Sequence, residues 1–409
     1  MKINVTKDPK RMGFDPKRLD RIGEHFQSYV EQKKLAGWLV SITRHSEPIY
    51  LAKSGLRDIE GGQAIEEDTL FRIYSMTKPI TTVAAMILYE RGLLDITDPV
   101  SKYIPSFANL RVFKQGSTQA PLTVPATEPM RIWHLMTHTS GLTYGFHHAH
   151  TTDAIYRANG YEWGWPPDVD LAGACDAWAS MPLVANPGTE WNYSVSTDVL
   201  GRVVEVASGM GLDEFMKREI FDPLSMVDTS FYIEPERASR LAALYMPGVN
   251  GEITRLDAFG NACLSPQRVL SGGGGLVSTA SDYAAFMAMM LNRGELDRIR
   301  ILSPKTVDYM VTNHLPGNQD MDQIGRPIFS ESNSAGVGFG LGFSVVINPA
   351  DTKSLISKGT YAWGGAASTA FFIDPKEGLA ISFMTQLLPS STYPIRPELV
   401  QLVYSAMVD

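Results

Sequence analysis

Strand-like stretches lie near the two ends of this 409-residue chain, and helical patterns dominate between them. Apolar and β-branched residues bounded by polar turns are typical of β-strands. Amphipathic patterns at 20–32 and 397–407 predict one helix outside the strands at each end. We therefore predict one antiparallel sheet built from both ends of the chain and flanked by helices. The predicted strands cover 38–43, 49–52, 338–347, 369–373 and 379–385.

The segment between the two groups of strands has mainly helical patterns. The predicted fold class is α+β, with an antiparallel sheet region and an inserted, mainly helical region. We assign residues 1–90 and 265–409 to the sheet region and residues 91–264 to the helical region, which includes an aromatic-rich loop near 144–165. Ligand pockets favour junctions of this kind, so we expect the active site in the groove between the sheet and the helices.

The composition excludes several classes of function. A hydrophobic fraction of 44% and a charged fraction of 20% indicate a globular chain with a large core. A net charge of −8 without Lys/Arg runs argues against a nucleic-acid partner. The two cysteines, Cys175 and Cys263, can form neither a disulfide scaffold nor a metal-type pair. No signal-peptide core follows Met1 and no apolar stretch is long enough to span a membrane, so we expect a cytoplasmic protein without a membrane partner.

The tetrapeptide Ser75-Met76-Thr77-Lys78 is the one place in the chain where a lysine follows a serine at the third position. It opens a predicted helix in which Pro79 fits the first turn. A serine at a helix start meets converging backbone N–H groups, and a lysine three residues later lies on the same face. The motif therefore offers a nucleophile and a proton acceptor for covalent serine catalysis. The alternative is that Ser75 caps the helix and Lys78 is solvated.

Two later segments also have features of an active site. Tyr193 follows a Pro-Gly turn and precedes a predicted helix. Gly364 and Gly365 lie at a predicted strand start, where paired glycines allow another backbone or a ligand to approach closely. The alternatives are that Tyr193 is an ordinary core or surface residue, and that the glycines form a β-bulge with Trp363 packed in the core.

The order of these three segments resembles that of the serine esterases of the class C β-lactamase superfamily, and is most similar to that of family VIII carboxylesterases. The resemblance rests on residues 75–78, 193–195 and 363–365 occurring in this order. It implies a fold like that of β-lactamases and penicillin-binding proteins. It extends over nearly the whole chain, through supporting segments at 71–74, 132–142 and 271–279.

The resemblance also implies roles for the matching residues. Ser75 would attack an ester carbonyl and become acylated, while Lys78 and Tyr193 would share the transfer of its proton to the leaving alcohol. The backbone N–H groups of Ser75 and Ala366 would form the oxyanion hole, in which one donor is worth roughly 3 kcal/mol of barrier. Because a neighbouring lysine and tyrosine titrate as a coupled pair, the sequence leaves open which of them accepts the proton.

Two departures from true β-lactamases indicate an ester substrate. Val195 stands where β-lactamases carry an asparagine, and Trp363 where they usually carry a lysine. Those polar groups help to hold the amide and the carboxylate of a β-lactam, so an apolar pair suits a neutral ester. Aromatic residues of the 144–165 loop are candidates for an apolar wall of the pocket, or else they pack against the helical region. The predicted substrate-binding residues are Trp363, Gly364, Gly365, Val195, Trp163 and Trp165.

The sequence thus predicts a serine carboxylesterase that hydrolyses short-chain or bulky carboxylic esters through an acyl-Ser75 intermediate. Its partner is a small-molecule ester, and it needs no metal or organic cofactor. Three alternatives stay open: an acyltransferase that uses the same acyl-enzyme, a D-amino-acid peptidase or weak β-lactamase, and a penicillin-recognising sensor or scaffold. The oligomeric state is also left open.

Two further motifs are given structural interpretations. His147, His148 and His150 form a cluster that we interpret as part of a solvated loop rather than as a zinc site. The glycine run at 272–275 lacks the lysine and Ser/Thr of a phosphate loop. We interpret it as a tight turn before a helix that Ser281 caps.

Overall fold

The computed structural model describes residues 3–5, 7–249, 251–326 and 334–409. Strands from near both ends build its main sheet, and the middle of the chain consists mainly of helices and loops. The strands are β1 (Gly37–Arg44), β2 (Glu47–Asp58), β3 (Gln63–Ala64), β4 (Phe71–Arg72), β5 (Arg111–Gly116), β6 (Pro121–Pro125), β7 (Tyr245–Pro247), β8 (Ile253–Arg255), β9 (Val277–Ser278), β10 (Glu295–Leu296), β11 (Ile299–Arg300), β12 (Val337–Phe339), β13 (Ser344–Val346), β14 (Tyr361–Gly364), β15 (Ala370–Asp374) and β16 (Leu379–Met384).

Within the described residues the main sheet has eight strands in the order β12-β13-β14-β15-β16-β1-β2-β3, and its pairings are antiparallel. β1 pairs with β16, and Leu39 lies opposite Met384. The sheet confirms the predicted α+β class, in which both ends of the chain build one sheet. The prediction of one strand over 338–347 was wrong. β12 and β13 are separate there because the chain turns at Gly342, whose φ is +87°.

Helices cover both faces of this sheet. Helix α1 (Pro16–Glu31) begins after Asp15, whose carboxylate accepts hydrogen bonds from the backbone N–H groups of Lys17 and Arg18. It therefore starts before the predicted boundary at residue 20. The remaining α-helices of the described residues are α2 (Thr77–Glu90), α3 (Ile132–Met136), α4 (Thr151–Ala158), α5 (Leu171–Ser180), α6 (Ser196–Ser208), α7 (Leu212–Met216), α8 (Asp257–Gly260), α9 (Ala280–Leu291), α10 (Pro304–Met310), α11 (Met321–Ile324), α12 (Pro349–Thr352) and α13 (Ile395–Ser405).

β1 is buried along its whole length because helices cover both of its faces. Trp38, Val40 and Ile42 belong to the apolar layer between the sheet and helices α1 and α13, which also contains Phe383 of β16. Leu39 belongs to the larger core on the other face, to which α2, α6 and α9 contribute. This alternation is what a side-chain period of two residues demands of a strand covered on both sides.

The middle of the chain departs from the predicted pattern at two places. The aromatic-rich segment near 144–165 contains α4, so it is helical in part. α9 begins after Thr279, whose hydroxyl accepts a hydrogen bond from the backbone N–H of Asp282. Ser281 lies inside the first turn of that helix, so the prediction that it caps the helix was wrong. The division of the chain into a sheet region and a helical region stays a prediction.

None of the helices in the described part of the chain is both long and apolar enough to cross a bilayer. The longest of them, α1, has 16 residues, whereas a spanning helix needs about 20 apolar residues. The cytoplasmic location stays a prediction of the sequence.

Candidate active site

Ser75 lies in a short 3-10 turn, Tyr74–Met76, that leads directly into α2. Tyr74 has a φ of +42°, a left-handed conformation that costs a non-glycine residue roughly 1–3 kcal/mol. Met76 occupies the N-cap position of α2, and the hydrogen bonds of Ser75 Oγ are to the side chains of Lys78 and Tyr193. The interpretation of Ser75 as a helix cap is therefore wrong.

Lys78 is in the first turn of α2 and is only 1% exposed, so the interpretation of it as a solvated residue is also wrong. Its Nζ donates to the carbonyl oxygen of Gly273 at 2.7 Å, to the hydroxyl oxygen of Tyr144 at 3.1 Å and to Ser75 Oγ at 3.3 Å. An ammonium group has three protons to donate, and all three have an acceptor here. Lys78 is thereby fixed with its Nζ beside Ser75.

Gly273 reaches Lys78 because two distant segments pair. β4, which precedes Ser75, pairs with β9, which follows the glycine run, and this pairing lays the run alongside the Ser75 turn. A Cβ at position 273 would lie 2.4 Å from Oδ2 of Asp198, so the close approach requires glycine. The run at 272–275 forms a turn.

Tyr193 lies on the loop before α6, with its hydroxyl 2.5 Å from Ser75 Oγ. The loop is held by hydrogen bonds of Asn192, from its backbone N–H to the carbonyl of His138 and from its side chain to the carbonyl of Leu142. The Nζ of Lys78 lies 4.5 Å from the centre of the Tyr193 ring. A cation so close to the face of an aromatic ring is attracted to it.

The end of β14 approaches the Ser75 turn from the other side. A Cβ at Gly365 would lie 2.5 Å from the carbonyl oxygen of Ile73, so only glycine permits this contact. Ala366 follows in a loop held by hydrogen bonds between Gly365 and Thr369 and between Ser368 and Gly365. The predicted segment at 363–365 therefore lies next to the segment at 75–78. Ala366 lines the same cavity as Ser75.

The cavity has a volume of about 790 Å³, within the range typical of small-molecule sites. It lies between the sheet and the helices, as predicted for the active site. Lys78 lies behind Ser75 and outside the lining. The predicted residues that line the cavity are Ser75, Tyr193, Ala366, Trp363, Gly364, Gly365, Val195, Trp163 and Trp165.

Aromatic rings form one wall of the cavity. The Trp163 ring stacks on Phe146 with ring centres 4.5 Å apart, and Phe146 stacks on Tyr144 at 4.6 Å. Tyr144 in turn contacts Tyr193 at 5.3 Å, and Tyr193 contacts Trp363 at 5.4 Å. The outermost ring, Trp163, is 44% exposed. The wall therefore extends from the mouth of the cavity to Ser75.

Two polar residues of the site, Tyr144 and Asp198, are absent from the sequence predictions. The sequence predicts Tyr144 only as one of the aromatic residues of the 144–165 segment. No motif in the sequence indicates a role for the carboxylate of Asp198, which lies in the first turn of α6. Asp198 Oδ1 accepts hydrogen bonds from Ser271 Oγ at 2.5 Å and from the backbone N–H of Gly273 at 3.1 Å. Asp198 and Lys78 are far apart in the sequence and come close only in the folded chain, so the sequence alone does not indicate that this carboxylate belongs to the site.

Burial shifts the titration of several of these groups. It raises the pKa of Asp198 above its ordinary value, although the positive charge of Lys78 and the hydrogen bond from Ser271 act in the opposite direction. Burial and the Asp198 carboxylate raise the pKa of Tyr144 well above its ordinary value, so its hydroxyl keeps its proton at neutral pH. Burial also holds the pKa of His138, whose ring contacts Tyr193 at 4.9 Å, well below its ordinary value.

The three histidines near position 148 have separate structural roles. His147 packs against Tyr144 and Tyr193, and burial lowers its pKa to about 4. His148 pairs with Glu162 at 3.0 Å. His150 Nδ1 accepts a hydrogen bond from the backbone N–H of Thr152 at the start of α4. The solvated-loop interpretation therefore fits His148 but not His147.

The eight-stranded sheet, its covering helices and the cavity between them define the fold class of the β-lactamases and penicillin-binding proteins. A family model described as Beta-lactamase matches residues 22–405, so the chain belongs to the beta-lactamase family. This confirms the resemblance to that superfamily seen in the sequence.

The proteins similar to this chain include an esterase and a hydrolase with acyltransferase activity. The chain is 32% identical over 398 residues to esterase EstB of Burkholderia gladioli, which covers 92% of this chain and 93% of EstB. It is 35% identical over 359 residues to an uncharacterized protein of Mycobacterium tuberculosis, with 87% and 86% of the two chains covered. Among solved structures it is similar to EstCE1, described as a hydrolase with promiscuous acyltransferase activity, with a TM-score of 0.79, 25% identity, and 96% and 98% of the two chains covered.

Proposed function

We propose that this protein is a serine carboxylesterase in which Ser75 is the nucleophile and an acyl-Ser75 ester is the intermediate. The observation that carries the proposal is the contact of one hydroxyl with two proton-transfer groups at a cavity wall. Ser75 Oγ lies 2.5 Å from the Tyr193 hydroxyl and 3.3 Å from Lys78 Nζ, within the reach that proton transfer needs.

The proposed reaction proceeds in two steps. Ser75 Oγ attacks the ester carbonyl carbon while its proton passes to the Lys78–Tyr193 pair, and the proton is then donated to the departing alcohol oxygen. The backbone N–H groups of Ser75 and Ala366 stabilise the negative charge that develops on the carbonyl oxygen. In the second step the same pair takes a proton from water, whose oxygen attacks the acyl carbon. The bond from that carbon to Ser75 Oγ then breaks, the proton returns to Ser75 Oγ, and the acid is released. These residues need no metal or organic cofactor.

An uncharged, largely apolar ester is the proposed substrate. Val195 and Trp363 line the cavity at the two positions where the resemblance places the polar groups that hold a β-lactam. Trp163 and Trp165 line its mouth. A wall of aromatic rings favours apolar acyl or alcohol groups through the area that they bury. The same residues make β-lactam hydrolysis and D-amino-acid peptidase activity less favoured functions for this site.

Acyl transfer to an alcohol other than water is the second candidate, because EstCE1 is described as having promiscuous acyltransferase activity. The acyl-enzyme would be the same, and only the acceptor would differ. Adding primary alcohols of increasing length to a hydrolysis assay separates the two. An alkyl ester product that grows with alcohol concentration, at the expense of free acid, would favour transfer.

The test of the proposed function is time-resolved hydrolysis of p-nitrophenyl acetate, butyrate and octanoate with intact-protein mass spectrometry. We expect a burst of nitrophenolate and an acyl mass on Ser75, both absent in Ser75→Ala. The absence of turnover and of any adduct with all three esters would contradict the proposal. The β-lactam chromophore nitrocefin would then test the β-lactamase alternative, and an adduct that never turns over would favour the sensor.

A further inference from the structure

The peptide group that joins Gly365 to Ala366 is hydrogen-bonded by a cation. Its carbonyl oxygen, that of Gly365, accepts from the backbone N–H of Ser368 at 3.1 Å and from Nη2 of Arg396 at 3.2 Å. Its N–H belongs to Ala366, which lines the cavity, and has no acceptor among the described residues. The peptide bond is trans, so the carbonyl and the N–H point in opposite directions. The Ala366 N–H therefore points away from Arg396.

Arg396 also binds the other end of the turn that carries Ala366. Its Nη2 donates to the carbonyl oxygen of Thr369 at 3.3 Å, and the same oxygen accepts from the backbone N–H of Gly365 at 2.8 Å. Arg396 lies in the first turn of α13, where the helix dipole disfavours a cation. The needs of the helix therefore do not explain an arginine at this position, whereas its hydrogen bonds to the turn do.

Gly364 makes room for the guanidinium group. A Cβ at this position would overlap Nη2 and Cζ of Arg396. The φ of Gly364 is not in the left-handed region, so its backbone conformation would allow a side chain. The two glycines of this segment thus have different reasons, because Gly365 admits the carbonyl of Ile73 and Gly364 admits Arg396.

A hydrogen bond from a cation to a peptide carbonyl affects the N–H of the same peptide group. Charge-assisted hydrogen bonds are stronger than neutral ones, and they draw electron density towards the carbonyl oxygen. The peptide nitrogen becomes more positive, so its N–H becomes a stronger donor, as in hydrogen-bonded chains that polarise one another. A donor that is fixed in advance also needs no reorganisation when charge develops in the transition state.

We propose that Arg396 is a positioning residue of this site, which holds the Gly365–Ala366 peptide group and strengthens the Ala366 N–H as an oxyanion donor. This inference rests on the proposed function and deepens it, because it assigns a side chain to the support of the oxyanion hole. Arg396 acts through the peptide group and need not touch the reacting atoms.

The step that Arg396 supports is the formation of the tetrahedral intermediate. The bond from Ser75 Oγ to the acyl carbon forms, and the π electron pair of the ester carbonyl moves to the carbonyl oxygen. The serine proton passes to the Lys78–Tyr193 pair. The negative charge is thus on an oxygen that accepts from the Ala366 N–H, and it disappears again when the alcohol leaves with the proton.

The first test is hydrolysis of p-nitrophenyl butyrate by Arg396→Met and Arg396→Lys, with the active fraction of each sample measured by its burst. We expect kcat of Arg396→Met to fall roughly tenfold, less than the hundredfold or more that loss of a whole oxyanion donor costs, with KM unchanged. Arg396→Lys keeps a cation and should recover most of the loss. An unchanged kcat in Arg396→Met would overturn the proposal, as would a lysine variant no better than the methionine variant.

A pair of ketone inhibitors separates support of the oxyanion from a merely structural role. 1,1,1-Trifluorooctan-2-one forms a tetrahedral adduct with a serine hydroxyl and carries an oxyanion in it, whereas octan-2-one binds without reacting. We expect Arg396→Met to raise the inhibition constant of the fluoroketone roughly tenfold, in line with its loss of kcat. The constant of octan-2-one should not change. An equal rise for both ketones would show a loss of pocket shape and overturn the proposal.

Arg57→Met is the matched control. Arg57 is also partly buried and donates to two backbone carbonyls, those of Ser239 and Ala64, but it does not line the cavity. We expect this variant to keep the wild-type kcat and both inhibition constants. An effect equal to that of Arg396→Met would mean that loss of any such arginine weakens the enzyme, and it would overturn the proposal.

Gly364→Ala decides the question if Arg396→Met yields no folded protein, because its methyl group displaces the guanidinium and leaves the arginine in the chain. We expect the same selective weakening of the fluoroketone and a similar loss of kcat. Unchanged values of both would overturn the proposal. Failure of the proposed function looks different, since the wild type itself would then show no burst, no acyl mass on Ser75 and no adduct with the fluoroketone.

Discussion

Different kinds of side chain fill two buried regions of the molecule. One is the apolar layer between the sheet and helices α1 and α13, and the other is the polar cluster of Lys78 and Asp198 next to Ser75. In the first layer Phe26, Trp38 and Phe383 pack with ring centres 4.7 to 6.5 Å apart. In the polar cluster, Lys78 donates to the Tyr144 hydroxyl and the Gly273 carbonyl, and Asp198 accepts from the Gly273 N–H. An apolar layer depends on volume and shape, whereas a polar network depends on every partner being present. We therefore expect the first layer to control stability and the second to control activity.

The largest expected effect is on activity. Ser75→Ala should lower kcat for p-nitrophenyl butyrate by roughly a thousandfold or more, because it removes the atom that forms the acyl bond. Lys78→Ala and Tyr193→Phe should each lower it nearly as much, and double variants little further, since residues that act as a unit are not additive. Burst kinetics measure the activity of each variant, and melting temperatures measure its stability. Near-normal esterase activity in any of the three single variants would refute the assignment.

The next effect is on stability. Phe383→Ala should lower the free energy of unfolding by about 3–5 kcal/mol, because it leaves a cavity in the apolar layer. Its kcat per folded molecule should stay near the wild-type value. Urea unfolding and active-site titration of the same sample measure the two quantities. Val227→Ala is the control, since Val227 is 72% exposed and should change stability by less than about 0.5 kcal/mol. A large loss of kcat in folded Phe383→Ala would show that the two layers are not independent.

Lowering the pH should reduce the stability of the folded protein through His147. Burial lowers the pKa of His147 to about 4 in the folded protein, whereas in the unfolded chain this histidine titrates near its ordinary value of about 6.5. Between these pH values the unfolded state binds more protons, so stability falls as the pH falls. We expect urea midpoints to decrease from pH 7 to pH 5, and to decrease less in His147→Gln. The exposed His45 gives the control, His45→Gln, which should match the wild type. An equal decrease in all three proteins would exclude His147 as the source.

The smallest effect concerns the mouth of the cavity, where the aromatic wall meets solvent. Trp163→Ala should reduce the preference for the octanoate over the acetate ester roughly fivefold, which corresponds to about one methylene group of lost burial. Trp165→Ala should act in the same direction. Ratios of kcat/KM for the two esters measure the preference, and melting temperatures should hardly change. If both variants kept the wild-type chain-length preference, the wall would not contact the substrate.

The fold was largely predictable from the sequence, because strand and helix patterns report local requirements. β1, β15 and β16 were recognised from their apolar runs, since a strand in the middle of a sheet must bury both faces. β2, which is only partly buried, was recognised from the polar turn that precedes it. The exceptions have local causes as well. The hairpin of β12 and β13 depends on the positive φ of Gly342, and α1 starts early because Asp15 caps it.

The site was predictable only in part. Ser75 and Lys78 were found because helical spacing places them on one face, and Tyr193 and Ala366 because their segments resemble those of known esterases. Tyr144 is 66 residues from Lys78 in the chain and the Gly273 carbonyl is 195 residues away, so no spacing rule joins them. The contact of Gly273 with Lys78 is set by the pairing of β4 with β9.

The pairing of β1 with β16 has a consequence for synthesis on the ribosome. Helix α2, which begins beside Ser75, is made early, but the Gly273 carbonyl and Ala366 follow much later, and β16 is among the last elements to emerge. A nascent chain that stops before residue 379 therefore lacks the strand that β1 needs as its neighbour. We expect Ser75, the proposed nucleophile, to gain its reactivity near the end of translation, when the growing chain can complete its sheet.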